Sequence, residues 1–111
     1  MEDYVFKVVI EIDEDMVNEV GETDLNTVYD IVRTTYVNHG LHDISDGERQ
    51  LIFISKDGED YAYGEIGFAA LELYDSWLKK YLKKMDWYDS YDDSIEDMLV
   101  GIQHFDRVYG R

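Results

Sequence analysis

The sequence predicts a single α+β domain, on three observations. Residues 4–12 alternate with period two, as a strand does. Residues 25–40 and 68–85 carry apolar side chains at helical spacing. A second β-rich run at 50–56 is followed by Asp57-Gly58, a signature of the two-residue hairpin turn. The chain has 111 residues, about one domain's worth, so residues 1–111 are read as one unit.

In the first strand Tyr4, Phe6, Val8, Ile10 and Ile12 share one face, and Val5, Lys7, Val9 and Glu11 the other. Apolar residues on both faces suit a central position in the sheet. Asp13-Glu14-Asp15 ends it, and residues 13–23 read as an acidic connection with room for a short helical turn. Thr23 or Asp24 is a good N-cap for the first helix, whose stripe is Leu25, Val28, Val32 and Tyr36. Asn38-His39-Gly40 ends that helix, with Gly40 suited to the left-handed conformation. Residues 41–49 read as a polar loop. Gln50 to Lys56 is the second strand, and Glu59 to Ile66 is expected to return as the third.

From Phe68 to Met85 a wide apolar stripe predicts a long helix. Lys79, Lys80, Lys83 and Lys84 would fall in its last turns, where cations complement the helix dipole. Residues 86–93 read as a loop. Asp93 or Ser94 would cap a final helix, with Ile95, Met98, Leu99 and Ile102 inward. Phe105 to Tyr109 is read as a last strand or an irregular tail. The expected order is β-α-β-β-α-α: a three-stranded sheet packed by two to three helices, four-stranded if the tail pairs.

Charge narrows the function classes. There are 26 carboxylates against 10 lysines and arginines, a net charge of −16. Such a chain should repel nucleic acid and anionic membranes and attract basic protein surfaces. The absence of cysteine excludes disulfides, thiolate metal sites and a cysteine nucleophile. An acidic Met1-Glu2-Asp3 and the lack of a long apolar run lead us to expect a cytoplasmic protein. Phosphate-binding, nucleophile-elbow and zincin motifs are missing, which favours a binding protein over an enzyme.

Two constellations have metal-ligand chemistry. One is His39-x-x-His42 with Asp43 and Asp46; the other is Asp13 and Asp15 with Glu11 and Glu14. A histidine at a helix end and acids in so acidic a chain have ordinary explanations, so no metal or cofactor is expected. The stronger candidates are for binding. Trp87, Tyr88 and Tyr91 are interleaved with Asp86, Asp89, Asp92 and Asp93, joining aromatic anchors to carboxylates that pair with arginine. Glu59, Asp60, Tyr61 and Tyr63 form a second patch of this kind.

In size, cysteine-free composition, carboxylate excess and these carboxylate–aromatic segments, the chain resembles the small acidic inhibitors made by phages and mobile elements. These include anti-restriction DNA mimics and anti-CRISPR proteins. The resemblance implies a carboxylate array that occupies an arginine- and lysine-lined channel built for nucleic acid. Glu11, Asp13, Glu14, Asp15, Glu59, Asp60, Asp86, Asp89, Asp92 and Asp93 would form it. The implied partner is a basic protein, a nucleic-acid-handling enzyme or complex. Two other classes are carried beside this one. The first is an adaptor or antitoxin-like protein binding through an apolar surface such as the Trp77 and Tyr81 stripe. The second is a metal-dependent hydrolase or nuclease using Asp13 and Asp15 or the His39–His42 pair. Oligomeric state is left open.

Overall fold

The computed structural model describes residues 4–45 and 50–109. Its elements run β1 (Phe6–Ile12), α1 (Glu14–Val20), α2 (Leu25–Asn38), β2 (His42–Asp43), β3 (Gln50–Ile54), α3 (Ala62–Tyr74), a 3-10 segment (Trp77–Tyr81), β4 (Leu82–Asp89), β5 (Ser94–Asp97) and α4 (Met98–Tyr109). The class is α+β, but the sheet corrects the expectation of three or four strands. It has five antiparallel strands, in the order β2-β3-β1-β4-β5.

β1 is central, as its apolar faces require. Val8 lies opposite Phe53 of β3 on one side and Trp87 of β4 on the other. Phe6, Val8, Ile10 and Ile12 point into the core with Leu51, Phe53 and Met85, where they meet Val28, Val32 and Tyr36 of α2 and Ile66, Ala70 and Leu73 of α3. The Tyr36 ring stacks on Phe53 at a centroid distance of 4.8 Å. The opposite face carries Lys7, Val9, Glu11, Ile52, Ile54, Lys84, Asp86 and Tyr88, as the register requires. There the Lys7 ammonium lies over the Tyr88 ring at 4.4 Å.

The two N-terminal helices are capped by side chains. Asp24 accepts from the Thr27 N–H at 2.8 Å and opens α2. Asp13 accepts from the Met16 N–H at 3.1 Å and opens α1, so the acidic connection is itself a helix. Gly40 takes the left-handed conformation after α2, with φ +89°.

The remaining differences have physical reasons. Asp57-Gly58 makes a turn, but the chain leaves it as α3, not as a returning strand. Ala62, Ile66, Ala69, Ala70 and Leu73 are buried, and their helical spacing outweighs the strand preference of Tyr61 and Tyr63. The long helix expected to reach Met85 ends at Tyr74, and the chain passes through the 3-10 segment into β4. The lysines therefore do not finish an α-helix: Lys79 and Lys80 lie in the 3-10 segment, Lys83 and Lys84 in β4.

Residues 86–93 are not one loop, because 86–89 complete β4 and only 90–93 turn. Ser94 does not cap a helix but starts β5, and Ile95 is exposed. Met98 and Ile102 do face inward. The tail from Phe105 continues α4 and supplies no strand.

The register of β1 against β4 shifts between Glu11 and Ile12, which pair with Lys84 and Leu82. Lys83 is the extra residue of this β-bulge, a device that redirects side chains.

Candidate functional site

The two carboxylate–aromatic patches read from the sequence meet at one end of the sheet, around Phe6. β1 begins there, and Phe6 lies opposite Asp89. The Phe6 ring is in edge contact with Tyr63 at 5.8 Å, Trp87 at 5.6 Å and Tyr91 at 6.1 Å between centroids. Tyr63 and Trp87 touch each other at 5.3 Å. Phe6 is buried and anchors the cluster, whereas Tyr63 and Tyr91 are 64% and 76% exposed. Such edge-to-face pairs stabilise by about 0.5–1.5 kcal/mol each beyond their buried area.

A groove of about 690 Å³ opens beside this cluster. Tyr63 and Trp87, Asp89, the β5 residues Ser94 to Asp97, and Val100, Gly101 and His104 of α4 line it. Its lining includes the acidic residues Asp89, Glu96 and Asp97 and no lysine or arginine. A smaller hollow of about 190 Å³ next to it is lined by Phe6, Tyr63, Tyr91, Glu59, Asp60 and Lys56, among others.

Local hydrogen bonds hold several acids of this end in place. Asp89 accepts from the Tyr91 N–H at 2.9 Å, and Asp92 from the Ser94 N–H at 3.0 Å. These turns shape the 90–93 connection, where Asp93 takes φ +55°. Hydrogen bonding to Ser94 holds Asp92 below its usual range. Glu59 is also held low, first by the Lys56 N–H and then by His42 and the Tyr61 hydroxyl. Trp87 keeps its indole N–H enclosed with no acceptor among the described residues.

The other expected array members lie elsewhere. Asp13, Glu14 and Asp15 follow the far end of β1, about 20 Å from Phe6 at the rise of an extended strand. They line a small hollow together with Lys83, the bulge residue. Asp13 is committed to its cap, and Glu14 accepts from the Tyr29 hydroxyl at 2.8 Å. Glu11, Asp86 and Tyr88 sit on the open face of the sheet, where Lys84 lies 3.7 Å from Glu11 and 3.5 Å from Asp86. The ten acids therefore form no single row. Glu59, Asp60, Asp89, Asp92 and Asp93 surround the aromatic end, while Glu11, Asp13, Glu14, Asp15 and Asp86 lie among lysines.

The histidine pair does not converge. His39 sets Nδ1 against Glu65 and Nε2 3.2 Å from Glu72, both on α3. His42 Nε2 lies 2.8 Å from Glu59. Hydrogen bonding to Glu65 raises the His39 pKa, with Glu72 adding to it. Among the described residues no three His, Asp or Glu side chains are grouped to hold a metal ion, and Asp46 lies outside them.

Sequence reasoning missed Glu96, Asp97, Val100, Gly101 and His104 because it placed residues 94–102 on one helix. Ser94-Ile95-Glu96-Asp97 holds a single apolar residue, so no alternation marks it as a strand against the capping pattern. The Trp77 and Tyr81 stripe is divided, since Tyr81 is buried and Trp77 exposed. A mostly apolar groove of about 250 Å³ lies between α3 and α4, lined by Gly67, Leu71, Met98, Ile102 and Phe105 with Glu96 at its side, and Phe68 elsewhere on α3 is 61% exposed. Among the described residues no helix is long and apolar enough to cross a membrane. Comparison with protein-family models, curated proteins and solved structures found no match to this chain.

Proposed function

We propose that this chain is a non-enzymatic acidic binding protein. It occupies a basic surface of a nucleic-acid-handling protein, as the anti-restriction and anti-CRISPR inhibitors it resembles do. One observation carries this reading: the groove beside Phe6 joins the exposed Tyr63 ring and the half-buried Trp87 ring to the carboxylates of Asp89 and Glu96, with no lysine or arginine in its lining. Arginine fits such a place twice over, because its guanidinium stacks on aromatic rings and pairs with carboxylates. The surface is a charged aromatic groove, not a uniform copy of a phosphate backbone.

The test is capture of partners from nuclease-treated bacterial lysate by the immobilised protein, at about 0.1 M and 0.5 M salt to bracket strong screening. The double variant Asp89→Lys/Glu96→Lys serves as the comparison. The expected result is a basic nucleic-acid enzyme held at low salt, released at high salt, displaced by DNA and lost by the variant. Capture that is indifferent to salt, DNA and the variant would refute the reading.

That second outcome would favour an adaptor or antitoxin-like protein. The α3–α4 groove lined by Leu71, Ile102 and Phe105, with Phe68 of α3 also exposed, is the observation behind this alternative.

A further inference from the structure

Resting on the reading of a basic partner, we propose that a short arginine- or lysine-rich extended segment of that partner adds to the free edge of β5 as a sixth strand. β5 ends the sheet order, and among the described residues no strand pairs with its outer edge. All four of its residues are exposed. An edge strand of this kind presents unpaired N–H and C=O groups, the template for strand addition.

Natural edges are commonly guarded by lysine, proline or a bulge. This one has none of the three; its protection is its four-residue length and the two acids Glu96 and Asp97, and its ladder with β4 is in unbroken register. Its charges act as a filter. A second copy pairing edge to edge would crowd its own two acids into the same short seam as Glu96 and Asp97, whereas a basic strand would bring opposite charge.

The pleat places acids on both faces of this edge. Glu96 lies opposite Trp87, on the core side where Asp89 also points. Asp97 lies opposite Asp86, on the open side. Successive side chains of an added strand point to alternate faces. Basic residues at consecutive positions would therefore meet Glu96 on one face and Asp97 on the other, with Asp89 and Asp86 one strand further in. Exposed Ile95 gives the added strand an apolar neighbour. Main-chain hydrogen bonds supply affinity in this mode and side chains supply selection.

The test uses the heptapeptide Val-Arg-Arg-Val-Arg-Arg-Val, which sets arginine on both faces of an extended strand, and the same peptide N-methylated at every backbone amide. N-methylation keeps the charge and removes the strand donors. Affinity is measured at about 0.02 M salt, where screening is weak, and amide exchange is followed residue by residue. The expected result is binding of the first peptide with slowed exchange within residues 94–97, and at least about a tenfold loss on methylation. Equal affinity for both peptides without protection of residues 94–97 overturns strand addition and leaves the basic-partner reading standing. Failure of both peptides to bind overturns that reading as well. The exposed variant Glu96→Lys/Asp97→Lys should abolish binding of the first peptide, and its own exchange pattern reports whether it is folded.

Discussion

Asp86 of β4 stands directly opposite Asp97 of β5. Like charges at facing positions of an antiparallel pair destabilise it by a few tenths of a kcal/mol. Lys84, 3.5 Å from Asp86, offsets part of this from within β4. Asp97 has a second duty: its Oδ1 accepts from the Val100 N–H at 3.2 Å, closing the first turn of α4. Asn performs the same capping without charge. Asp97→Asn should therefore raise stability by about 0.5 kcal/mol at low salt, less at high salt. Asp97→Ala, which also removes the acceptor, should be about 1 kcal/mol less stable than Asp97→Asn. Urea titrations of the three proteins at two salt concentrations measure both differences.

Tyr36 is fully buried, and its hydroxyl has no hydrogen-bond partner among the described residues. Burial pushes its phenol pKa far above the ordinary value. An enclosed unsatisfied hydroxyl costs about 1–3 kcal/mol, while the ring stacks on Phe53 with or without it. Tyr36→Phe should keep or raise stability by about 1 kcal/mol. A clear loss in a thermal or urea melt would show that the hydroxyl has an acceptor.

The His39 pKa is raised above its ordinary 6.5 by Glu65 and Glu72. Its contribution is thus complete below that value and is lost as pH rises through the folded-state pKa. Glu59 is shifted downward from 4.5, so its contribution is present above that value and is lost as pH falls through the lowered pKa. Both contacts support folding between about pH 4.5 and 6.5, the ordinary values of the two groups. The stability difference between the native protein and His39→Gln should therefore shrink from pH 6 to pH 9. A difference independent of pH across that range would show that the imidazolium adds nothing.

Gly40 combines φ +89° with a close neighbour, because a Cβ there would lie 2.6 Å from Cε2 of Tyr61. The Tyr61 hydroxyl donates to the Gly40 carbonyl at 2.9 Å. Gly40→Ala must strain the backbone and displace that ring, at a cost of about 1–2 kcal/mol. Gly21, also left-handed but with open space around it, should lose less on substitution by Ala, and paired melts of the two variants would show it.

These cases also show what the sequence made legible. The period of β1, the Asp24 cap and the Gly40 stop were each readable because local chemistry and tertiary packing agree there. At Ala62 to Ile66 they disagree: the tyrosines and Asp57-Gly58 suggest a hairpin, and burial of Ala62 and Ile66 selects a helix. From Tyr74 the helical spacing of Leu78, Tyr81, Leu82 and Met85 runs on through the 3-10 segment into β4. A stripe of that kind cannot reveal that strand geometry has taken over. The β4–β5 turn uses Ser90 to Asp93, with no Asn-Gly or Asp-Gly to announce it. The groove was hidden for the same reason. Trp87 and Asp89 were found by their composition, but Glu96 and Asp97 join them only once β5 exists.

The central place of β1 bears on how the chain acquires its fold. β1 is synthesised before both of its partners, β3 at Gln50–Ile54 on one side and β4 at Leu82–Asp89 on the other. Its second ladder cannot close on a ribosome until Asp89 has been translated and has emerged. The apolar face of Phe6, Val8, Ile10 and Ile12 meanwhile waits without its full cover. Loops this long slow folding, and exposed strands of this composition are what chaperones hold.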